Sequence, residues 1–138
     1  MFQKLSRWEN GGDVTSPDGK YTLLYRNGSE IAMGAPTVGE LWLADEEGNE
    51  QLIAKSVTAS MIWSQKSDFF AYVKWGEFSR HSETICVVRV TDMLEKSIKV
   101  ENSSIEFQAF GRGFIKLLDY PAYNIVGRAF NVKALFEE

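Results

Sequence analysis

The feature that most constrains this chain is an internal repeat with a spacing of about 48 residues. Residues 16–25 are a polar turn followed by an aromatic-rich strand pattern, and residues 64–73 repeat this order 48 positions later. A second landmark, residues 41–45, aligns with residues 88–92 at a spacing of 47. Repeats of about 40–50 residues with about four strands each are typical of propeller blades. The spacing therefore predicts small antiparallel sheets that stack on one another.

Alternating apolar and polar residues predict strands through most of the chain. The clearest is residues 83–90, which are β-branched almost throughout, and two separate short strands are predicted at 51–54 and 60–63. No stretch before residue 105 has convincing helical spacing over ten or more residues. Residues 129–136 fit either an edge strand or a short closing helix. The fold class predicted is all-β.

The turn signals divide this pattern into units. Arg26-Asn27-Gly28-Ser29 has the composition of a tight turn, and the acidic run 45–50 reads as a solvated hairpin tip. No linker rich in Pro, Gly or Ser interrupts the chain. We therefore expect a single domain over residues 1–138. Its repeat-like units cover about 14–60 and 61–104, and a divergent third unit covers 105–138.

The repeated turns also carry a family resemblance. Thr15-Ser16-Pro17-Asp18-Gly19-Lys20-Tyr21, and the degenerate copy at residues 62–73, resemble the Trp-Ser-Pro-Asp-Gly-Lys signature of TolB-type β-propeller blades. The resemblance covers about residues 14–104 and implies that each turn leads into the second strand of a blade. A closed propeller needs about four blades or more, and 138 residues hold fewer than three of this length. The expected architecture is two to three small sheets stacked as an open partial propeller.

The distribution of charge bears on the partner of the chain. The formal net charge is −4, and residues 1–60 hold nine acids and five bases whereas the remainder holds ten of each. A nucleic-acid-binding protein usually has the opposite bias, because Lys and Arg must neutralise phosphates. No apolar run approaches the roughly 20 residues of a membrane-spanning helix. We expect a protein partner and neither nucleic acid nor a membrane, and the oligomeric state stays open.

Candidate catalytic and metal-binding groups are few. The chain has one Cys and one His, and it contains no Gly-x-Ser-x-Gly elbow, phosphate loop or calcium loop. Cys86 lies in an apolar run and is expected to be a buried thiol. His81 is expected to be a loop residue, and the alternative is a small hydrolase in which His81 works with Glu83 or Asp68. No metal or cofactor is predicted.

These observations favour a binding protein over an enzyme. The overall character of the chain, small, acidic and without a secretion signal, resembles bacterial immunity proteins, in particular those that protect against contact-dependent growth-inhibition toxins. The resemblance implies a cytoplasmic inhibitor that blocks the active site of a basic, nuclease-type toxin domain. The other alternative is a scaffold module in which several partial propellers associate. The predicted contact residues are acids that attract the partner and loop aromatics that anchor it: Asp45, Glu46, Glu47, Glu50, Trp75, Phe78, Tyr120 and Tyr123.

Overall fold

The secondary structure is almost entirely β. The computed structural model describes residues 4–5, 12–30, 37–76, 83–100, 105–119 and 126–137. Within these ranges the elements are β1 (Lys4–Leu5), β2 (Gly12–Thr15), β3 (Tyr21–Glu30), β4 (Thr37–Asp45), β5 (Glu50–Trp63), β6 (Phe69–Trp75), β7 (Glu83–Arg89), β8 (Leu94–Val100), β9 (Ile105–Gly111), β10 (Phe114–Asp119), β11 (Val126–Asn131) and α1 (Val132–Phe136).

The strands form two antiparallel sheets. In the larger sheet β2 to β8 are neighbours in chain order, with β1 added beside β5, and in the smaller sheet β10 lies between β9 and β11. The predicted all-β class is confirmed. Residues 129–136, for which the sequence allows an edge strand or a short helix, contain both: β11 ends at Asn131 and α1 begins at Val132. The Asn131 side chain accepts the Ala134 N–H at 3.1 Å and so caps this short helix.

Strand β5 divides the larger sheet into two layers. Residues 50–57 pair with β4, whereas residues 57–63 pair with β6, and the register shifts between Val57 and Met61. Ser56, at the start of this irregular stretch, has a φ of 58°. Such bulges bend a strand sharply. The two short strands predicted at 51–54 and 60–63 are therefore one bent strand, which leaves the first layer (β2, β3, β4) and enters the second (β6, β7, β8).

The two turns that carry the repeat have equivalent backbone hydrogen bonds, and in each turn the serine hydroxyl also donates to an aspartate, although that aspartate lies two residues after Ser16 and four residues after Ser64. The Ser16 hydroxyl donates to Asp18 Oδ1 at 2.6 Å, and the Ser64 hydroxyl donates to Asp68 Oδ1 at 2.6 Å. Each serine oxygen also accepts the N–H of the first residue of the following strand, at 3.1 Å and 3.0 Å. The spacing of 48 residues in the sequence is thus the spacing between two turns with the same backbone hydrogen bonds.

The same two turns are joined to each other. Gly19 has a φ of 77°, and Ser67, 48 positions later, has a φ of 62°. This left-handed conformation is natural for Gly and costs energy for Ser. The Ser67 hydroxyl accepts the Asp18 N–H at 3.0 Å, which connects the two layers at their turn ends. The buried Trp63 indole N–H donates to the Val14 carbonyl at 3.0 Å and makes a second connection.

The second landmark of the repeat lies in a different register. Asp45 is the last residue of β4, whereas β7 ends at Arg89 and Asp92 lies in the following turn. The equivalent buried positions are Leu43, which faces the second layer, and Val87, which faces the third, and they are 44 residues apart. The difference arises because β3 and β4 have 10 and 9 residues and β6 and β7 have 7 each.

The middle layer is covered on both faces. Phe70 and Tyr72 of β6 point to the first layer, and Ala71 and Val73, which alternate with them, point to the smaller sheet, which is the third layer. The buried residues between the first and second layers are Val14, Leu23, Tyr25, Leu41, Leu43, Ala54, Val57, Ala59, Met61, Trp63, Phe70, Tyr72, Cys86 and Val88. Those between the second and third layers are Ile62, Ala71, Val73, Ile85, Val87, Ile105, Phe107, Phe110, Ile115, Leu117 and Val132. The described residues thus form an open stack of three layers, two from the larger sheet and one from the smaller.

The predicted turn at residues 26–29 is wrong. Strand β3 continues to Glu30, and the pair Asn27-Gly28 forms an irregularity in its pairing with β4. A Cβ on Gly39 would lie 2.6 Å from the Arg26 carbonyl oxygen, so the two strands approach closely here. Asn27, with a φ of 57°, supplies the left-handed residue of a bulge instead of the tip of a hairpin.

Candidate functional site

The acidic turn, residues 45–50, is held in shape by Asp45. Its carboxylate accepts the Glu47 N–H at 2.9 Å, the Asn49 N–H at 3.0 Å and the Asn49 side-chain amide at 3.2 Å. These bonds, above all the one from the Asn49 backbone, lower the pKa of Asp45. The turn leaves the exposed carboxylates of Glu46 and Glu47 at its tip. Asp45 therefore shapes the predicted contact surface, and its neighbours present the charge.

The fourth predicted acid, Glu50, is part of an ion pair. Arg26 donates from its two terminal nitrogens to the two carboxylate oxygens of Glu50, at 2.5 and 2.9 Å. The bond from Arg26 lowers the pKa of Glu50. The Arg26 guanidinium also lies over the ring of Trp42, 5.8 Å from the ring centroid. A planar cation over an indole is a favourable electrostatic contact.

Trp42 belongs to the outer face of the first layer. Leu41 and Leu43, its neighbours along β4, are buried in the core between the first two layers, so Trp42 points away from that core. Its indole N–H donates to Glu40 Oε1 at 3.2 Å, and the same oxygen accepts from the Asn27 amide at 2.8 Å. The Asn27 bond is the main reason that the pKa of Glu40 is lowered. Trp42 is only partly buried, although it alternates along the strand with two buried leucines.

The outer face has three rows of side chains across β3, β4 and β5. Strand register and alternation place an apolar row between two polar rows. The outer face consists of Thr22, Leu24, Arg26, Glu40, Trp42, Ala44, Glu50 and Leu52. Leu24, Trp42 and Leu52 belong to neither core cluster of the described residues, and Leu52 is 39% exposed. An aromatic residue with an apolar flank and a charged rim is the usual centre of a protein–protein contact.

The outer face and the acidic turn form one surface. Ala44 and Glu50 of the outer face pair with each other at the base of the turn. With Lys55, whose charge acts on Glu40, the combined surface has five acids and two bases. The acidic surplus of the first 60 residues is thus gathered beside Trp42. This combined surface is the candidate site.

Trp75, one of the four predicted aromatic anchors, lies at the end of the strands that is opposite the acidic turn. Phe69 begins β6 beside the turn at residues 64–68, and Trp75 ends it six residues later, roughly 20 Å away at about 3.3 Å per residue. Trp75 borders a cleft of about 320 Å³ together with Lys55 and Lys74. Trp75 and the acidic turn are therefore at opposite ends of the layers. The other three predicted anchors lie outside the described residues: Phe78, Tyr120 and Tyr123.

The acids proposed for a hydrolase are also separated. The Asp68 carboxylate accepts the Ser64 hydroxyl next to the start of β6. Glu83 is opposite Trp75 at the other end of β6, is buried, and accepts the Ile105 N–H at 3.1 Å. The two acids are alternative partners of His81, and their separation does not choose between them. His81 itself lies outside the described residues.

Other predicted features can be placed within the described part of the chain. Cys86 is buried as expected, in the core between the first two layers. No group of three or more His, Cys, Asp or Glu residues in these ranges could hold a metal ion. The helix found in these ranges, α1 with five residues, is far too short to cross a membrane. Comparison with models of protein families, with curated proteins and with solved structures finds no match to this chain.

The sequence predicts the acidic turn as part of the contact surface but does not indicate Trp42 or Arg26. Strand alternation in the sequence separates Trp42 from Leu41 and Leu43, and this signal was available. Alternation does not say which of two apolar faces another layer covers. The ion pair between Arg26 and Glu50 joins residues 24 positions apart, and no local pattern indicates it.

Proposed function

We propose that this chain is a non-enzymatic protein-binding inhibitor and, more specifically, a cytoplasmic immunity protein that blocks the active site of a basic, nuclease-type bacterial toxin domain. The observation that supports the proposal is the acidic turn, shaped by Asp45 and continuous with the outer face around Trp42. A nuclease needs a cationic cleft to hold phosphates. A preformed acidic projection fits such a cleft and excludes the substrate.

In this proposal the two parts of the surface have different tasks. Glu46 and Glu47 at the exposed tip attract a cationic partner over a distance and raise the association rate. Trp42 and Leu52 supply the apolar area that slows dissociation after contact. Because Asp45 and the Arg26–Glu50 pair hold the surface in place, little conformational freedom is lost on binding.

A growth experiment tests the biological role. We expect a toxin domain to be encoded beside the gene of this chain, and cells that produce that domain are expected to grow only when the chain is co-expressed. The purified toxin domain is then expected to lose its nuclease activity when the chain is added in equal amount. Growth arrest that persists despite abundant folded chain would contradict the proposal.

Binding kinetics with that toxin domain test the surface. Glu46→Lys combined with Glu47→Lys is expected to lower the association rate at least about tenfold at low salt, and much less at high salt, because exposed charges are screened. Glu47→Lys and Glu137→Lys form a matched pair: each changes the net charge equally, but Glu137 follows α1 on the third layer. An equal effect of the two single variants would exclude the acidic turn as the docking surface.

The two tryptophans give a second matched pair. Trp42→Ala is expected to weaken binding by roughly 2 kcal/mol, mainly through faster dissociation, which is typical of a buried aromatic anchor. Trp75→Ala, at the end of the strands opposite the acidic turn, is expected to change both rates much less. Circular dichroism confirms that each variant is folded. A larger loss from Trp75→Ala would move the contact to the other end of the molecule.

A further inference from the structure

A cavity of about 620 Å³ opens between the second and third layers. It lies at the turn end of the strands, between the turn at residues 64–68, the turn at 111–113 and α1. The Gln65 N–H donates to the Phe110 carbonyl at 3.0 Å and the Val132 N–H donates to the Gly113 carbonyl at 2.8 Å, so both walls are fixed by backbone bonds. The volume is in the usual range for a small-molecule site, about 300–1,000 Å³.

The floor of the cavity is aromatic. Phe69 contacts Phe110 with 6.2 Å between ring centroids and Phe136 with 5.2 Å. Phe110 is buried, whereas Phe69 and Phe136 are partly exposed and present ring surface to the opening. The Arg89 guanidinium lies 5.2 Å from the centroid of the Phe136 ring. A planar apolar group that enters the cavity finds rings to stack on.

The rim of the cavity is cationic, in contrast to the chain as a whole. Four bases line it, Lys66, Arg89, Arg112 and Lys133, against the two acids Asp68 and Glu137. Arg89 is paired with Asp92, at 2.6 and 3.0 Å. The ion pairs and hydrogen bonds found among the described residues do not engage the side chains of the other three bases. The charge of the rim is thus opposite in sign to the net charge of the chain, −4, which suits the binding of an anion.

We propose that this cavity binds a small organic anion with a planar aromatic body. The ring packs against the side chains of Phe69 and Phe136, and the anionic group is held by Arg112 and Lys133 at the rim. A guanidinium and an ammonium bind a carboxylate or sulfonate through charge-assisted hydrogen bonds. The site lies between the second and third layers, away from the outer face of the first layer, and is independent of the proposed inhibition of a toxin.

Two fluorescent probes that differ in one charged group test the proposal. Anilinonaphthalene sulfonate has an aromatic body and an anionic group, and N-phenylnaphthylamine has the same body without the charge. The anion is expected to bind at one site at least about tenfold more tightly than the neutral probe. The backbone amide signals of Gly111 and Gly113 are expected to shift in nuclear magnetic resonance spectra as the anion is added.

The variants are chosen to preserve the backbone. Arg112 has a φ of 53°, a conformation that Asn tolerates, so Arg112→Asn combined with Lys133→Gln removes two charges without strain. This variant is expected to weaken binding of the anion about tenfold and to leave binding of the neutral probe unchanged. The control is Lys20→Gln combined with Lys116→Gln, which removes two exposed charges elsewhere. Equal affinity for the two probes, or an equal effect of the control, would overturn the proposal.

Discussion

The free energy of unfolding of Ser67 variants gives the contribution of the hydrogen bond that connects the first two layers. Ser67 is 6% exposed, has a φ of 62°, and accepts the Asp18 N–H at 3.0 Å. Ala at this position keeps the left-handed strain and loses the hydrogen bond, which costs about 1 kcal/mol. Gly loses the same bond but relieves strain of about 1 kcal/mol. We therefore expect Ser67→Ala to lower the free energy of unfolding by about 1 kcal/mol and Ser67→Gly to leave it nearly unchanged.

Ser56 provides the matched control for this prediction. It is the same residue type with nearly the same φ, 58°, but it is exposed and makes no hydrogen bond through its side chain among the described residues. Ser56→Ala is expected to be close to neutral, and Ser56→Gly is expected to stabilise by about 1 kcal/mol. The difference between Ser67→Ala and Ser56→Ala thus gives the free energy of the hydrogen bond. At either position, the difference between the Ala and Gly variants gives the free energy of the left-handed strain.

Urea unfolding followed by tryptophan fluorescence resolves differences of this size. The slope of the free energy with urea concentration should be equal in all variants, so that the midpoints report stability directly. Equal losses from Ser67→Ala and Ser56→Ala would show that the bond to Asp18 contributes nothing. A loss from Ser67→Gly larger than that from Ser67→Ala would refute the assignment of strain.

Three further predictions concern the core, the charges and the assembly. Trp63→Phe is expected to lower the free energy of unfolding by about 2 kcal/mol, since it removes the hydrogen bond from the indole N–H to the Val14 carbonyl and leaves a void in the core; urea unfolding measures it. The pKa of Asp92 is lowered to about 2 by its bond from Arg89. Because the folded-state pKa is below the unfolded value, this stabilisation is present above about pH 4 and is lost as the pH falls towards 2. In Asp92→Asn the melting temperature should therefore depend less on pH between about 4 and 2 than it does in the unmodified chain. Sedimentation is expected to show a monomer at all concentrations, because exposed polar residues of the third layer, Gln108 and Lys116, lie on strands that a further layer would have to cover; a closed multimer would support the scaffold alternative.

The sequence predicts the elements that depend on local chemistry. The Ser-x-x-Gly turn at residues 16–19 and its copy at 64–67 are recognisable because the same hydroxyl and left-handed position close both turns. The β-branched run at 83–90 and the acidic hairpin tip are equally local. These patterns, together with the repeat spacing, are sufficient for the all-β class and the stack of small sheets.

The features that the sequence does not predict depend on contacts between layers. The Asn27-Gly28 pair has the composition of a hairpin turn, and only its close approach to Gly39 shows that it is a bulge. The bend at Ser56 joins two strands that appear separate, because a left-handed Ser has no sequence signature. Trp42 is apolar like a core residue, and its partial exposure follows from the position of its strand in the first layer of the stack.

The shared strand β5 has a mechanical consequence. The first and second layers have one continuous ladder of backbone pairs, so neither can open without breaking pairs that belong to the other. The third layer is a separate sheet, attached to the second through bonds at Ser60, Gln65 and Glu83. A pull at the carboxyl end should therefore detach the third layer as a unit and leave the other two intact. Amide hydrogens of β9 to β11 should exchange with solvent in that first opening event, ahead of those of β5.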